Sequence, residues 1–197
     1  SLPEKFVLKT NHGCGTVIPI HDKKTIDKSS VCKQLDTWIK HRYGYLTVEP
    51  HYLKIQPVIY AEELIENDST FSTSLVDYKV FCFSGKAYCI LVCSDRIIGK
   101  HVNLSFYDCN WNIRPEMLDG RHKGETVIVQ KPQCLQELIA LAEKLAQGHP
   151  QVRVDFYISN NHIYFGEMTF TSQGGYMDYI SRKYSIIMGD LTKDIPE

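Results

Sequence analysis

Hydrophobic and polar positions fall into blocks along the chain, and the blocks predict a mixture of strands and helices. Short runs of β-branched, aromatic and other apolar residues, typical of β-strands, lie at 5–8, 55–60, 77–83, 87–94, 152–158 and 163–170. Ser84-Gly85-Lys86 separates the third run from the fourth, and Ser159-Asn160-Asn161-His162 separates the last two. We therefore expect two antiparallel hairpins. In the second hairpin, Asp155 and Glu167 face each other.

Two other segments have the apolar spacing of amphipathic helices. The first is predicted over 29–41, begins at a Ser cap and has four residues on one face, Val31, Leu35, Trp38 and Ile39. The second is predicted over 135–146 and closes at Gly148 and Pro150. Between 97 and 131 the periodicity is lost, which predicts a long loop that closes over a substrate or selects an acceptor.

Composition and charge narrow the class of protein. The 197 residues are 43% hydrophobic, enough to bury a core, and 22 basic against 23 acidic residues give a net charge of -1. This balance provides neither a basic stripe for nucleic acid nor a polybasic membrane anchor. The seven cysteines form no CxxC pair, and no apolar run is long enough for a membrane helix. We expect a cytoplasmic protein with reduced thiols.

A glycine-containing loop follows the first predicted strand. Gly13 and Gly15 flank Cys14 and are free to take positive φ, and Lys9 ends the strand before them. Backbone N–H groups of such a loop, with a lysine beside them, can cradle phosphate oxygens. A short loop of this kind is more often a plain turn, and a nucleophilic role for Cys14 has no support from its surroundings in the sequence.

The last predicted hairpin places two carboxylates and one guanidinium together. Asp155 and Glu167 offer the hard oxygen ligands that Mg²⁺ takes beside substrate phosphates. Arg153 is two residues before Asp155, so it shares a strand face with it and can stabilise negative charge on a transferring phosphoryl group. The alternatives are two solvated carboxylates and a simple salt bridge.

Several familiar site motifs are absent. The eight histidines show no HxxxH or HxH spacing, and no GxSxG, GxxxxGK[ST] or GxGxxG sequence occurs. These absences count against a histidine metal site, a serine hydrolase, a P-loop NTPase and a Rossmann dehydrogenase. A nucleotide site would need another fold.

Five ordered segments resemble the ATP-grasp superfamily, and within it the TupA-like, polysaccharide-associated branch. They run from Phe6 to Gly15, Tyr60 to Ile65, Asp77 to Phe81, Val152 to Phe156 and Gly166 to Thr171. The resemblance implies an α+β ATP-grasp fold, in which two subdomains with antiparallel sheets grip ATP. We expect an N-terminal subdomain at 1–66 and a C-terminal one at 67–197, with a preATP-grasp domain preceding Ser1.

The resemblance also implies roles for individual residues in binding ATP. Lys9 would contact the phosphates and the loop Gly13, Cys14 and Gly15 would close over them. A hinge strand would hold adenine through backbone groups of Glu62, Glu63, Leu64 and Ile65. Asp77 would lie near the ribose, with Arg96 as a further candidate for the triphosphate or an anionic substrate.

The catalytic and metal-binding roles come from the C-terminal segments of the resemblance. Mg²⁺ would be bound by Asp155, Glu167 and Thr169. Thr169 stands where many ATP-grasp enzymes have Asn, which leaves a second magnesium open. Arg153 and Lys79 would be catalytic.

The activity implied is that of an ATP- and Mg²⁺-dependent ligase that forms C–N bonds. It would join an amino acid or other amine to a sugar carboxylate, such as a uronic acid, in capsular or exopolysaccharide biosynthesis. Two alternatives stay open: a sugar phosphotransferase and a non-catalytic nucleotide-binding module in glycan assembly. The expected setting is the bacterial cytoplasm, with the inner face of the membrane and other polysaccharide-biosynthesis enzymes as further candidate contacts.

Overall fold

The computed structural model describes residues 2–45, 48–122 and 127–193 of the chain. The chain divides into two compact units, Ser1–Ile65 and Glu66–Glu197, called here the N-terminal and the C-terminal unit. Each unit is built on an antiparallel sheet with few helices, so the expected α+β class is confirmed. The subdomain roles expected for 1–66 and 67–197 stay predictions.

The N-terminal unit contains a three-stranded sheet in the order β2-β1-β3. Its elements are β1 (Phe6–Thr10), β2 (Val17–Ile20), α1 (Lys28–Trp38), a 3₁₀ turn (Pro50–Lys54) and β3 (Ile59–Glu63). Phe6 of the central strand is buried and pairs with buried Ile20 of β2. β3 is exposed along its whole length, since it forms an edge of this sheet.

Three details of this unit differ from the sequence prediction. The helix predicted over 29–41 begins at Lys28 and is capped by Asp27, whose carboxylate accepts from Ser29 N and Ser30 N. The strand predicted over 55–60 begins only at Ile59, after a 3₁₀ turn and Pro57, which has no N–H to donate. β2 was not predicted, and its position at the edge of the sheet tolerates Pro19, which has no N–H to donate.

The C-terminal unit contains a five-stranded sheet in the order β6-β5-β4-β7-β8. Its strands and helices are β4 (Asp77–Phe83), β5 (Lys86–Ile97), β6 (His101–Asp108), α2 (Leu135–Leu145), β7 (Gln151–Ser159), β8 (His162–Thr169) and α3 (Arg182–Asp190). Three 3₁₀ turns lie at Pro115–Met117, Gly120–His122 and Ser172–Gly175.

Both predicted hairpins are confirmed, as β4 with β5 and β7 with β8. Each turns on two residues with positive φ, Ser84-Gly85 and Asn160-Asn161, as a type I′ turn requires. The loop predicted over 97–131 is wrong for 101–108, which form β6 and pair with β5. Residues 123–126 of that predicted loop lie outside the described residues.

The two faces of the larger sheet are covered by separate hydrophobic cores. One face packs against α2 through its buried stripe, Leu135, Leu138 and Ala142. The other packs against α3 through Tyr184 and Met188. α2 follows its prediction, whereas α3 was not predicted.

None of the helices in the described part of the chain combines the length and the apolar character needed to cross a lipid bilayer.

Candidate active site

A row of polar side chains lies on the α3 face of the larger sheet. In β4, Asp77 and Lys79 alternate with Tyr78 and Val80, which point into the core against α2. Lys79 pairs with Asp155 of β7, and Asp77 pairs with Tyr157. Paired residues share a face of the sheet. The row therefore continues from β4 to β7, on the same face as the core residues Phe81 and Leu91.

A β-bulge brings Glu167 of β8 into the same row. Asp155 pairs with Glu167 and Phe156 pairs with Phe165, so Gly166 is the extra residue in β8. A Cβ at position 166 would lie 3.0 Å from the backbone oxygen of Asp155 and 3.2 Å from the Tyr157 ring. A side chain at this position would press against backbone and an aromatic ring, which favours glycine. The bulge places Glu167 directly opposite Asp155, so the predicted facing of these two carboxylates is confirmed.

Asp155 is only 2% exposed and is bound by two cations. Arg153 donates from Nε to Oδ1 at 2.7 Å and from Nη2 to Oδ2 at 2.8 Å. Lys79 Nζ donates to Oδ2 as well. Burial alone would raise the pKa of the Asp155 carboxyl, but the charges of Lys79 and Arg153 outweigh burial and hold the pKa below its ordinary value.

Arg153 connects the buried carboxylate to β8 and to the turn that follows it. Its guanidinium also donates to Glu167 Oε1, Thr169 Oγ1 and Ser172 Oγ, each at 3.0 Å. Burial would lower the pKa of Arg153, and the charge of Asp155 more than compensates, so its pKa is raised. This guanidinium is fixed in place by five hydrogen bonds.

Asp77 forms a second ion pair beside the first. Arg96 Nη2 donates to Asp77 Oδ2 at 2.6 Å, and Lys79 Nζ lies 3.9 Å from Asp77 Oδ1. The pKa of the Tyr157 phenol is raised, first by burial and then by its contact with the Asp77 carboxylate. The structure thus places Asp77 inside the charged row, and its expected proximity to ribose stays a prediction.

The oxygen ligands expected for Mg²⁺ differ in their accessibility. The Glu167 side chain is 56% exposed, and its Oε1 accepts from Thr169 Oγ1 at 2.9 Å. Both Asp155 oxygens are already bound, and no group of three or more His, Cys, Asp or Glu side chains in the described ranges could hold a metal. Mg²⁺ commonly takes one or two carboxylates and completes its shell with phosphates. Glu167 is suited to bind a metal ion that enters the site together with phosphates.

In the N-terminal unit, the loop after β1 is held by aromatic and histidine contacts. Of the two glycines that are free to take positive φ, Gly15 does so, at +76°, and Gly13 does not. A Cβ at Gly13 would lie 2.8 Å from the Tyr43 ring, and close packing explains this glycine instead. Exposed Cys14 lies 2.8 Å from Tyr43 Oη through its Sγ, and His12 Nε2 donates to the His41 carbonyl at 3.0 Å.

Lys9 lies on β1 of the small sheet, next to β3, the strand expected to bind adenine. Lys9 Nζ donates to Glu62 Oε2 across β1 and β3. Glu62 and Glu63 end β3, and Leu64 and Ile65 follow it. An edge strand has backbone N–H and C=O groups that no neighbouring strand uses, which suits hydrogen bonding to a base.

Three residues of the charged row were missed by the sequence analysis. Tyr157 follows Asp155 by two positions, so strand periodicity could have found it. Ser172 Oγ, which accepts from Arg153, and Tyr179, whose phenol contacts Arg153, come from the chain after β8. No signal in the sequence indicates that this segment turns back onto β7.

The family model of TupA-like ATP-grasp proteins matches residues 1–193. No curated protein sequence matches. Among solved structures, D-alanine-D-alanine ligase from Helicobacter pylori is 15% identical with a TM-score of 0.48, over 100% of this chain and 50% of the ligase. The enzyme from Bacillus anthracis complexed with ATP is 15% identical with a TM-score of 0.45, over 96% and 47%.

The ATP-grasp ligase PsnB, complexed with minimal precursor, Mg and ADP, is 11% identical with a TM-score of 0.42 over 96% of this chain and 47% of that protein. The chain therefore spans about half the length of the solved structures it matches. The assignment to a family rests on the family model, which covers nearly all of the sequence. It confirms the resemblance of the five ordered segments: the chain belongs to the TupA-like ATP-grasp family.

Proposed function

We propose that the protein containing this chain is an ATP- and Mg²⁺-dependent ligase that joins an amine to a carboxylate. The observation that carries the proposal is the charged row on the larger sheet, where Arg153, Lys79, Asp155 and Glu167 converge in a chain of the ATP-grasp family. Such a row combines cations for phosphate with an exposed carboxylate for a metal.

The proposed reaction has two steps. A carboxylate oxygen attacks the γ-phosphorus of ATP, ADP leaves, and an acyl phosphate forms. The amine then attacks the acyl carbon, phosphate leaves, and the amine gives up a proton to yield the amide. When bound, Mg²⁺ would neutralise phosphate charge and align the phosphates.

Arg153 is suited to both steps because its guanidinium is fixed before substrate arrives. A preoriented cation stabilises negative charge that develops on phosphoryl or acyl oxygens without reorganisation at the moment of reaction. Its bonds to Asp155 and Ser172 set that orientation. Lys79, on the adjacent strand, would contact the transferred phosphoryl group.

The N-terminal unit contains the other residues that we assign to nucleotide binding. Lys9 and the loop 13–15 would contact phosphates, and the edge strand β3 with Leu64 and Ile65 would bind adenine through its backbone. The surroundings of Cys14, beside the Tyr43 phenol, do not call for a nucleophile. We assign Cys14 only a backbone role.

For the acceptor we propose a sugar carboxylate of the uronic acid class, with an amino acid as the amine, in assembly of a surface polysaccharide. This finer assignment rests on the polysaccharide-associated branch that the five segments resemble.

The test is product analysis with the full-length protein. It is incubated with Mg-ATP, uronic acids and a mixture of amino acids, and mass spectrometry follows ADP, phosphate and amide. The expected result is an amide formed with one ADP for each bond, lost in Glu167→Gln and kept in Glu137→Gln, an exposed carboxylate on α2. A stable phosphorylated sugar without amide would instead identify a phosphotransferase, and ATP binding without turnover a nucleotide-binding module.

A further inference from the structure

We propose that Lys79 is a displaceable cation that keeps Asp155 closed to metal until a triphosphate draws the ammonium away. Nucleotide and metal would then bind together, and the chain would not take up a divalent ion first. This inference deepens the proposed function and rests on it for the identity of the triphosphate. The block that Lys79 imposes on Asp155 can be tested without any nucleotide.

Donors occupy three of the four lone pairs of the Asp155 carboxylate. Oδ1 accepts from Arg153 Nε, and Oδ2 accepts from both Arg153 Nη2 and Lys79 Nζ. The three side chains are enclosed, with 3% of Asp155, 11% of Arg153 and 14% of Lys79 exposed. Both lone pairs of Oδ2 are used, so Arg153 or Lys79 must leave before a metal can bind this oxygen.

The net charge of the row does not favour displacement of a donor by a metal ion alone. Three cations, Lys79, Arg96 and Arg153, are matched by three carboxylates, Asp77, Asp155 and Glu167. The row is neutral as a whole, and a divalent cation entering it would approach three positively charged groups. A triphosphate brings the excess negative charge that makes a cation favourable there.

Lys79, rather than Arg153, is the donor able to leave. Arg153 makes five hydrogen bonds to four residues, so moving it would break contacts with Glu167, Thr169 and Ser172 as well. Lys79 makes one hydrogen bond, to Asp155, on a flexible stem. Its ammonium already lies 3.9 Å from Asp77 Oδ1, so a shift away from Asp155 keeps it near a carboxylate.

The consequence is a reciprocal coupling between nucleotide and metal. If the triphosphate takes Lys79, it frees Asp155 Oδ2, and a bound metal in turn favours the conformation in which Lys79 is available to phosphate. Such coupling typically changes affinity by about 5- to 150-fold. Removing the ammonium should therefore open the site to metal in the absence of nucleotide.

The experiment measures Mn²⁺ binding to the full-length protein by electron paramagnetic resonance, with no nucleotide present. Lys79→Met should bind Mn²⁺ at least about tenfold more tightly than wild type, and Asp155→Asn in the Lys79→Met background should abolish the gain. Lys144→Met, an exposed lysine of α2, should leave Mn²⁺ binding at the wild-type level. Folded Lys79→Met without the gain, or tight wild-type binding that Asp155→Asn abolishes, would overturn the proposal.

Lys79→Met also removes one of the two cations that pair with Asp155. A second measurement therefore uses wild-type protein, in which both pairs are intact. Nuclear magnetic resonance of the lysine side-chain methylene groups should show the Lys79 signal moving when a non-hydrolysable ATP analogue is added without metal, while Lys144 stays unchanged. A bound analogue that leaves the Lys79 signal in place would overturn the role of Lys79 alone. A failure of the analogue to bind would count against the nucleotide site itself, and the Mn²⁺ titration would still decide whether Lys79 blocks Asp155.

Discussion

Arg153 shows how a single side chain can organise several functional groups. Its guanidinium bridges a buried carboxylate, an exposed carboxylate and two hydroxyl groups on three separate stretches of chain. The planar fork of an arginine makes this possible, and the compact ammonium of a lysine cannot reproduce it. The geometry of the side chain at this position is therefore needed as well as its charge.

We predict that Arg153→Lys lowers the free energy of unfolding although it keeps the positive charge. The substitution leaves two buried acceptors, Asp155 Oδ1 and Ser172 Oγ, without the donors that Arg153 supplies, at a cost of about 1–3 kcal/mol. Urea denaturation measures the change. Arg182→Lys, at an exposed position of α3, serves as the control, and equal stability of the two variants would contradict the bridging role of Arg153.

Asp155 leads to a prediction about pH. Its folded-state pKa is held below the ordinary value, mainly because the charges of Lys79 and Arg153 outweigh burial. Stability from the ionised carboxylate is therefore present above the unfolded pKa of about 3.9 and is lost as the pH falls through the lower folded value. Wild type should be more stable than Asp155→Asn at pH 7, and the difference should shrink below about pH 4.

Urea unfolding of both proteins from pH 7 to pH 3 measures this difference. Asp190→Asn, which removes an exposed carboxylate paired with Lys193, should give a much smaller difference at pH 7. A gap between wild type and Asp155→Asn that stays constant over the whole range would contradict the assignment.

At the scale of elements, the bulge in β8 determines which side chain faces Asp155. A regular β8 would place residue 166 opposite Asp155, and the single extra residue moves Glu167 there instead. The bulge depends on the missing side chain of Gly166, since backbone and an aromatic ring fill the space a Cβ would need.

Gly166→Ala should therefore destabilise the C-terminal unit and displace Glu167. The added methyl group meets the Asp155 carbonyl oxygen at 3.0 Å, and overpacking of this kind typically costs about 1–3 kcal/mol. Thermal unfolding with and without Mg-ATP measures both effects, and stabilisation by Mg-ATP should fall even at temperatures where the variant is folded. Gly120→Ala, where a Cβ meets nothing within 4 Å, should match wild type. An equal response of the two variants would argue against the bulge as a positioning device.

Elements with a strong pattern could be predicted from the sequence, and weakly patterned ones could not. α2 was predictable because its apolar stripe is buried, whereas α3 buries only Tyr184 and Met188 and leaves Ile186 exposed. β6 was missed although Val102, Leu104 and Phe106 alternate with Asn103 and Ser105, the period of a strand with one face in a core. The facing of Asp155 and Glu167 was predicted from one hairpin, but the bulge that produces it was not. Lys79 and Asp155 are 76 residues apart in the sequence, and no local pattern indicates that they pair.

At the scale of the whole molecule, the residues assigned to nucleotide binding are divided between two units. The N-terminal unit contains Lys9, the glycine loop and the edge strand, and the C-terminal unit contains the charged row. The proposed function assigns Lys9 to the phosphates of ATP and Glu167 to Mg²⁺, and each assignment can be tested in its own unit.

The most direct test is thermal unfolding of the full-length protein with and without Mg-ATP, because a ligand that binds only the folded state raises the midpoint by mass action. We predict an upward shift that requires both Mg²⁺ and ATP, is reduced in Lys9→Met and in Glu167→Gln, and is unchanged in Lys144→Met. A midpoint that does not respond to Mg-ATP, or a shift that both Lys9→Met and Glu167→Gln retain in full, would contradict the account.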